Sequence, residues 1–124
     1  MPSRHEAALI RRAAEGDEQA FDGLVLRYRA LVLRIAREAL SDRESAEDAA
    51  QEAFLEAHRS LRRLREPERF AGWLATITRR VAGRAGLRQA ARDRMLAEWS
   101  WGSTQAILPP PLGPGRRRAD TPGA

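Results

Sequence analysis

Residues 45–64, SAEDAAQEAFLEAHRSLRRL, and 68–88, ERFAGWLATITRRVAGRAGLR, decide the reading of this chain. In the first stretch Ala46, Ala50, Phe54, Ala57, Leu61 and Leu64 recur at three- and four-residue steps. That is the period of a helix with one apolar face. The opposite side collects Glu47, Asp48, Gln51, Glu52, Leu55, Glu56 and Arg59. Leu55 among charged neighbours is the odd residue, an exposed apolar anchor in a polar field. In the second stretch Phe70, Trp73, Leu74, Ile77 and Val81 make the apolar face, and Arg80, Arg84, Arg88 and Arg92 recur every fourth residue along another. An acidic helix is thus followed at once by an arginine-striped one.

The flanking sequence is also helical in period. Residues 4–14 place Ala7, Ile10 and Ala14 on one side, and Gly16-Asp17 breaks that run, with Asp17 as an N-cap. Residues 18–40 carry Phe21, Leu24, Tyr28, Leu31, Ile35 and Ala39, the pattern of a long central helix. Ser41–Glu44 reads as a polar connection, and Ser45 with Asp48 as a capping box that opens the third helix. Pro67 suits the first turn of the fourth helix, while Gly83 and Gly86 each cost it about 1 kcal/mol relative to Ala and are expected to fray or bend it. No segment alternates like a strand. The expected fold is therefore all-α, a bundle of about four helices over residues 4–98, followed by a Pro/Gly/Arg-rich linker or tail over 99–124. Trp99 and Trp101 are expected to dock back on the bundle as a terminal apolar patch. The run Pro109–Pro111 and the closing Arg116–Arg118 cannot build a core.

Charge sharpens the picture. The chain has 22 basic residues, 17 acidic and a net charge of +5; every basic residue is arginine. An arginine-rich genome accounts for the missing lysine, but not for where the charges lie. Residues 42–56 hold one Arg against six acids, net −5, and residues 57–94 hold eleven Arg against three, net +8. A dipolar chain of this kind fits two partners of opposite charge. Cys is absent, so disulfides and thiolate metal sites are excluded, and His5 and His58 lie too far apart for a ligand cluster. The exposed carboxylates have no nucleophile or pocket residue beside them in sequence, so no catalytic residue, metal or cofactor is expected. No apolar run is long enough to span a bilayer, and the start is too polar for a signal peptide, which places the protein in the cytoplasm.

Each feature has a plain alternative. The acids could be an ordinary solvated face. Trp73 fits the apolar face of its helix, while Phe70 lies nearer the loop and suits either core packing or base stacking. The arginine stripe could be mere surface, yet none of Arg80, Arg84 and Arg88 has an acid four residues before it. Like charges at that spacing repel, and a polyanion relieves them. Aromatics beside Arg65, Arg69 and Arg79 add the stacking that single-stranded binders use.

With those motifs in view, residues 8–92 resemble region 2 of bacterial RNA polymerase sigma factors of the extracytoplasmic-function (ECF) group. AEGDEQAF at 14–21 is similar to the family's opening, AEDAAQEAFL at 46–55 to its polymerase-binding helix, and RFAGWLATITR at 69–79 to its promoter-reading helix. The resemblance implies that Asp48, Gln51, Glu52 and Leu55 contact the clamp helices of the largest catalytic subunit of core RNA polymerase. It implies too that the loop from Leu61 to Phe70, including Arg65 and Arg69, and the helix positions Thr76, Arg79, Arg80 and Arg84 take the single-stranded non-template −10 element of promoter DNA, with a base flipped out of the stack; Arg88 extends the basic stripe. Two positions depart from the pattern: Arg80 stands where the family usually has Asn, and Arg84 where it usually has Asp. Phosphate affinity is expected to rise at these positions and base selectivity to weaken. The family's second helical domain, region 4, is not expected in residues 93–124, which are short and Pro-rich. The implied function is promoter recognition and melting for transcription initiation. The runner-up is a region 2 decoy that occupies polymerase or an anti-sigma factor without starting transcription.

Overall fold

A computed structural model describes residues 3–107, with side chains to Trp99. Four helices form in order: α1 (Arg4–Ala14), α2 (Glu18–Ala39), α3 (Arg43–Ser60) and α4 (Phe70–Ile107); two short 3₁₀ turns, Leu61–Arg63 and Pro67–Arg69, lie between α3 and α4. Among the described residues there is no strand. The fold is an all-α bundle. Contacts divide the chain after Leu87 into two compact units.

In the first unit each junction follows from local chemistry. Ser3 caps α1, its hydroxyl accepting from the Glu6 N–H at 3.1 Å. At the other end Gly16 takes φ +105°, a left-handed conformation that glycine adopts without strain. Its N–H donates to the Ala13 carbonyl and that of Asp17 to the Arg12 carbonyl, both at 3.0 Å, the paired bonds of a Schellman stop. Asp17 then caps α2 by accepting from the Ala20 N–H at 3.1 Å and takes a second bond from Arg12 Nε at 3.2 Å. These donors hold its carboxyl below the usual Asp range, the Ala20 N–H most of all and Arg12 next.

The sequence placed the start of α3 too late. Asp42 is the cap, accepting from the Ser45 N–H at 2.9 Å, and α3 begins at Arg43. Ser45 is the third residue inside the helix. Asp, Asn, Ser and Thr all cap well, so two candidates three residues apart could not be ranked from their types alone.

α2 packs against both α1 and α3. Its buried residues are Ala20, Phe21, Leu24, Val32, Ile35 and Ala36. Tyr28 and Leu31 are only half-buried, and Ala39, the last residue of α2, is exposed. α3 contributes almost only alanines to the core: Ala46, Ala49, Ala50, Ala53 and Ala57. α4 contributes large groups, Phe70, Leu74, Ile77 and Val81, with Ala82.

Pro67 opens a 3₁₀ turn, and α4 proper begins at Phe70. The expected fraying at Gly83 and Gly86 does not occur; both lie inside the helix. At Gly86 an added Cβ would come within 2.7 Å of the Ala39 carbonyl oxygen, so this glycine is what lets the two backbones approach.

In the second unit, α4 remains helical to Ile107, beyond the expected start of a tail at residue 99. The next Pro after Pro67 is Pro109, so no proline breaks the backbone ladder of α4. Trp99 is 69% exposed, so it is not the docked patch the sequence predicted. The Trp101 side chain, Pro109–Pro111 and Arg116–Arg118 lie outside the described residues.

Candidate functional site

Alanine on its buried side sets α3 close against its neighbours and fixes what its other side presents. Asp48, Gln51 and Glu52 are exposed there, and Leu55 is 51% exposed. Spacings of three and four put these side chains on one face. Glu47 is taken by Arg43 at 3.1 Å, whereas Asp48 and Glu52 form no ion pair among the described residues. The face therefore offers two uncompensated carboxylates beside an apolar side chain.

Two grooves adjoin it. One, of 430 Å³, is lined by Val25, Arg29 and Leu33 of α2 and by Glu47, Asp48, Ala50, Gln51 and Phe54 of α3. The other, of 320 Å³, is lined by Glu18, Phe21, Asp22, Gln51, Phe54, Leu55 and His58. His58 Nε2 meets the Glu18 carboxylate at 3.1 Å and packs edge-on against Phe21. Phe54, expected mainly in the core, is half-buried and lines both grooves. Leu26, which sequence reasoning passed over, is 78% exposed on α2. Its place two residues after the buried Leu24 was the available signal, since that step crosses to another face of a helix.

On α4, Arg79, Arg80 and Arg84 are exposed, as is Thr76, whose hydroxyl donates to its own helix at the Gly72 carbonyl, 2.9 Å away. The Arg79 and Arg84 guanidiniums meet no carboxylate among the described residues; Arg80 is paired with Glu56 of α3. Before α4, Arg65 is exposed without an ion pair and Arg69 is paired with Glu66. Arg88, also exposed, belongs to the second unit. The sequence treated Arg80, Arg84, Arg88 and Arg92 as an unpaired stripe; Arg80 has an acidic partner, Glu56.

Phe70 is a correction. It is 1% exposed, packed edge-on against Tyr28 with ring centroids 5.2 Å apart and tilted against Trp73 at 5.8 Å. With no free face it cannot stack on a base, and it serves instead to anchor α4 in the core. The half-buried Tyr28 hydroxyl, desolvated and hydrogen-bonded to Glu6, has its pKa pushed up to about 12.

The described residues contain no group of three or more His, Asp or Glu side chains able to hold a metal ion, and no helix long and apolar enough to cross a membrane. What the molecule offers is two polar faces of opposite charge on consecutive helices.

Residues 24–93 match the Sigma-70 region 2 family. The chain belongs to that family. Among its relatives, the RNA polymerase sigma-H factor of Pseudomonas aeruginosa is 36% identical over 77 residues, 62% of this chain and 40% of that protein. The ECF RNA polymerase sigma-E factor of Haemophilus influenzae is 36% identical over 72 residues, 58% of this chain and 38% of that protein. The ECF RNA polymerase sigma factor SigM of Mycobacterium tuberculosis is 36% identical over 74 residues, 60% of this chain and 38% of that protein. The matched region thus spans about two-fifths of each of these relatives. As a region 2 domain, the chain places its EDAAQEAFL motif on α3 and its RFAGWLATITR motif at the start of α4.

Proposed function

We propose that this chain is the region 2 part of an ECF-type RNA polymerase sigma factor, working through residues 4–98 in the cytoplasm. The α3 face, Asp48, Gln51, Glu52 and Leu55, docks on the basic coiled-coil clamp helices of the largest subunit of core RNA polymerase. Two carboxylates without ion-pair partners among the described residues gain charge-assisted bonds there, and Leu55 buries apolar surface. The second face, with Arg65, Thr76, Arg79 and Arg84, tracks the non-template strand of the −10 element. Strand capture shifts promoter DNA toward the melted state by binding energy alone, without covalent chemistry. An anti-sigma factor would act by covering either face.

The observation that carries this reading is the pairing pattern. Asp48 and Glu52 on α3, and Arg79 and Arg84 on α4, stand exposed without an ion pair among the described residues, on consecutive helices of one compact unit. The test is binding of the chain to core RNA polymerase, with and without a fluorescent −10 non-template strand. Polymerase binding that creates strand affinity is the expected result. Absence of polymerase binding sinks the reading of α3, and polymerase binding without strand capture sinks the reading of α4.

A further inference from the structure

Glu56 stands on the flank of α3, one turn beyond Glu52, and its carboxylate reaches across to α4. Its Oε2 pairs with Nη2 of Arg80, with the acid side chain 26% exposed and the arginine 51%. The next arginine along the same helix, Arg84, has no carboxylate partner among the described residues. Two arginines one turn apart are therefore in different electrostatic states.

A guanidinium carries five N–H donors in a rigid fork. When a carboxylate takes one edge, the local charge is cancelled, so the group loses most of its pull on a phosphate. The donors on its other edge remain free, and the ion pair limits where they point. Such a group releases few counterions on binding DNA but keeps its capacity to donate to an acceptor-rich base edge. Arg84, exposed and without a carboxylate partner among the described residues, keeps its full charge, which suits a phosphate.

We infer that Glu56 is a positioning residue for the nucleic-acid face: it ties the Arg80 guanidinium, removes it from the set of phosphate contacts, and aims its remaining donors at one exposed base of single-stranded DNA. This rests on the reading of α4 as a nucleic-acid face. It makes an acid on the polymerase-binding helix a determinant of base selectivity, and it offsets the loss of selectivity expected from an unrestrained arginine at position 80.

The experiment uses the full chain bound to core RNA polymerase and a set of fluorescent non-template strands differing by one base, titrated at several salt concentrations. Glu56→Gln frees Arg80 as an additional cation. The slope of log affinity against log salt then steepens by about 0.7, the value for one extra phosphate on a single strand. The spread between the best and worst base narrows at the same time. Arg80→Gln narrows that spread by about tenfold and leaves the slope unchanged. Arg84→Gln does the reverse, lowering the slope by about 0.7 with the spread intact. The double variant Glu56→Gln/Arg80→Gln shows the same narrowed spread as Arg80→Gln, since Glu56 acts on the base only through Arg80. It binds more tightly overall, because no unpaired carboxylate is left beside the strand. An ion pair of merely structural value would move the thermal midpoint and neither of the binding readouts. A slope unmoved by Glu56→Gln, or an Arg80→Gln variant that behaves like Arg84→Gln, overturns the inference. Wild-type protein that captures no strand overturns the reading of α4 as well, which separates the two failures.

Discussion

α3 and α4 are neighbours in sequence and both are half core, yet they are built on opposite plans. α3 turns alanines inward and acids outward; α4 turns Phe70, Leu74, Ile77 and Val81 inward and arginines outward. Alanine burial contributes little area per residue, but it brings the helix close to its neighbours and gives its outer face a fixed position. Large residues contribute most of the apolar burial and seat the start of α4 in the core. Of these two helices, α4 contributes the larger apolar burial and α3 the closer packing. Such a division lets the exposed carboxylates of Asp48 and Glu52 change without loosening the core.

Charge reversal on α3 tests that separation most severely. Asp48→Arg/Glu52→Arg is expected to weaken polymerase binding at least a hundredfold, as reversing desolvated pairs at interfaces costs about 2–5 kcal/mol or more. The thermal midpoint should hardly move, because both residues are exposed. Binding measured by fluorescence anisotropy beside a thermal melt checks both halves, and a fall in midpoint would break the comparison.

The large residues of α4 give the next effect. Leu74→Ala, at a fully buried site, is expected to cost about 3 kcal/mol in urea unfolding. Ala53→Leu, at an equally buried site on α3, is expected to cost about 1–3 kcal/mol for the opposite reason, overpacking. Leu74→Ala tolerated without loss, or Ala53→Leu accepted without strain, would show that the helices do not differ in plan.

The two glycines of α4 sharpen the point within one helix. Gly83 has open space where a Cβ would go, so Gly83→Ala is expected to stabilise by up to about 1 kcal/mol. Gly86→Ala drives a methyl to within 2.7 Å of the Ala39 carbonyl oxygen, and the net effect is expected to be destabilising. Paired unfolding curves check the opposite signs.

The smallest effects are in pH. Asp17 has a depressed pKa in the fold, so its contribution is present above the unfolded Asp value and is lost as pH falls through the folded one. Asp17→Ala should therefore flatten the acid limb of the stability profile. Tyr28 behaves in mirror image. Its folded pKa of about 12 exceeds the unfolded value of about 10, so the stability it confers is present below pH 10 and is lost as pH rises toward 12. As the chain's single tyrosine, it reports directly in a tyrosinate absorbance titration against urea.

Local period and residue type were enough to find four helices, the Gly16 stop, the Asp17 cap and the exposed set Asp48, Gln51, Glu52 and Leu55. All of these depend on neighbours within about four positions along the chain. The errors arose where partners lie far apart in sequence. Phe70 is taken out of reach by Tyr28, 42 positions earlier, and Gly86 is explained by Ala39. The Asp42 cap, the Arg69–Glu66 pair and the continuation of α4 past residue 99 are local exceptions.

The sequence by itself determined the helical class, the order of an acidic and a basic helix, and the motifs that place the chain in its family, because periodicity and charge are properties of contiguous residues. Only the tertiary structure decided which arginines are free. Arg80 and Glu56 are 24 positions apart, and their pairing exists because packing brings α3 and α4 side by side. A charge in a sequence is only a formal charge; what it can bind depends on whether another part of the fold has already neutralised it.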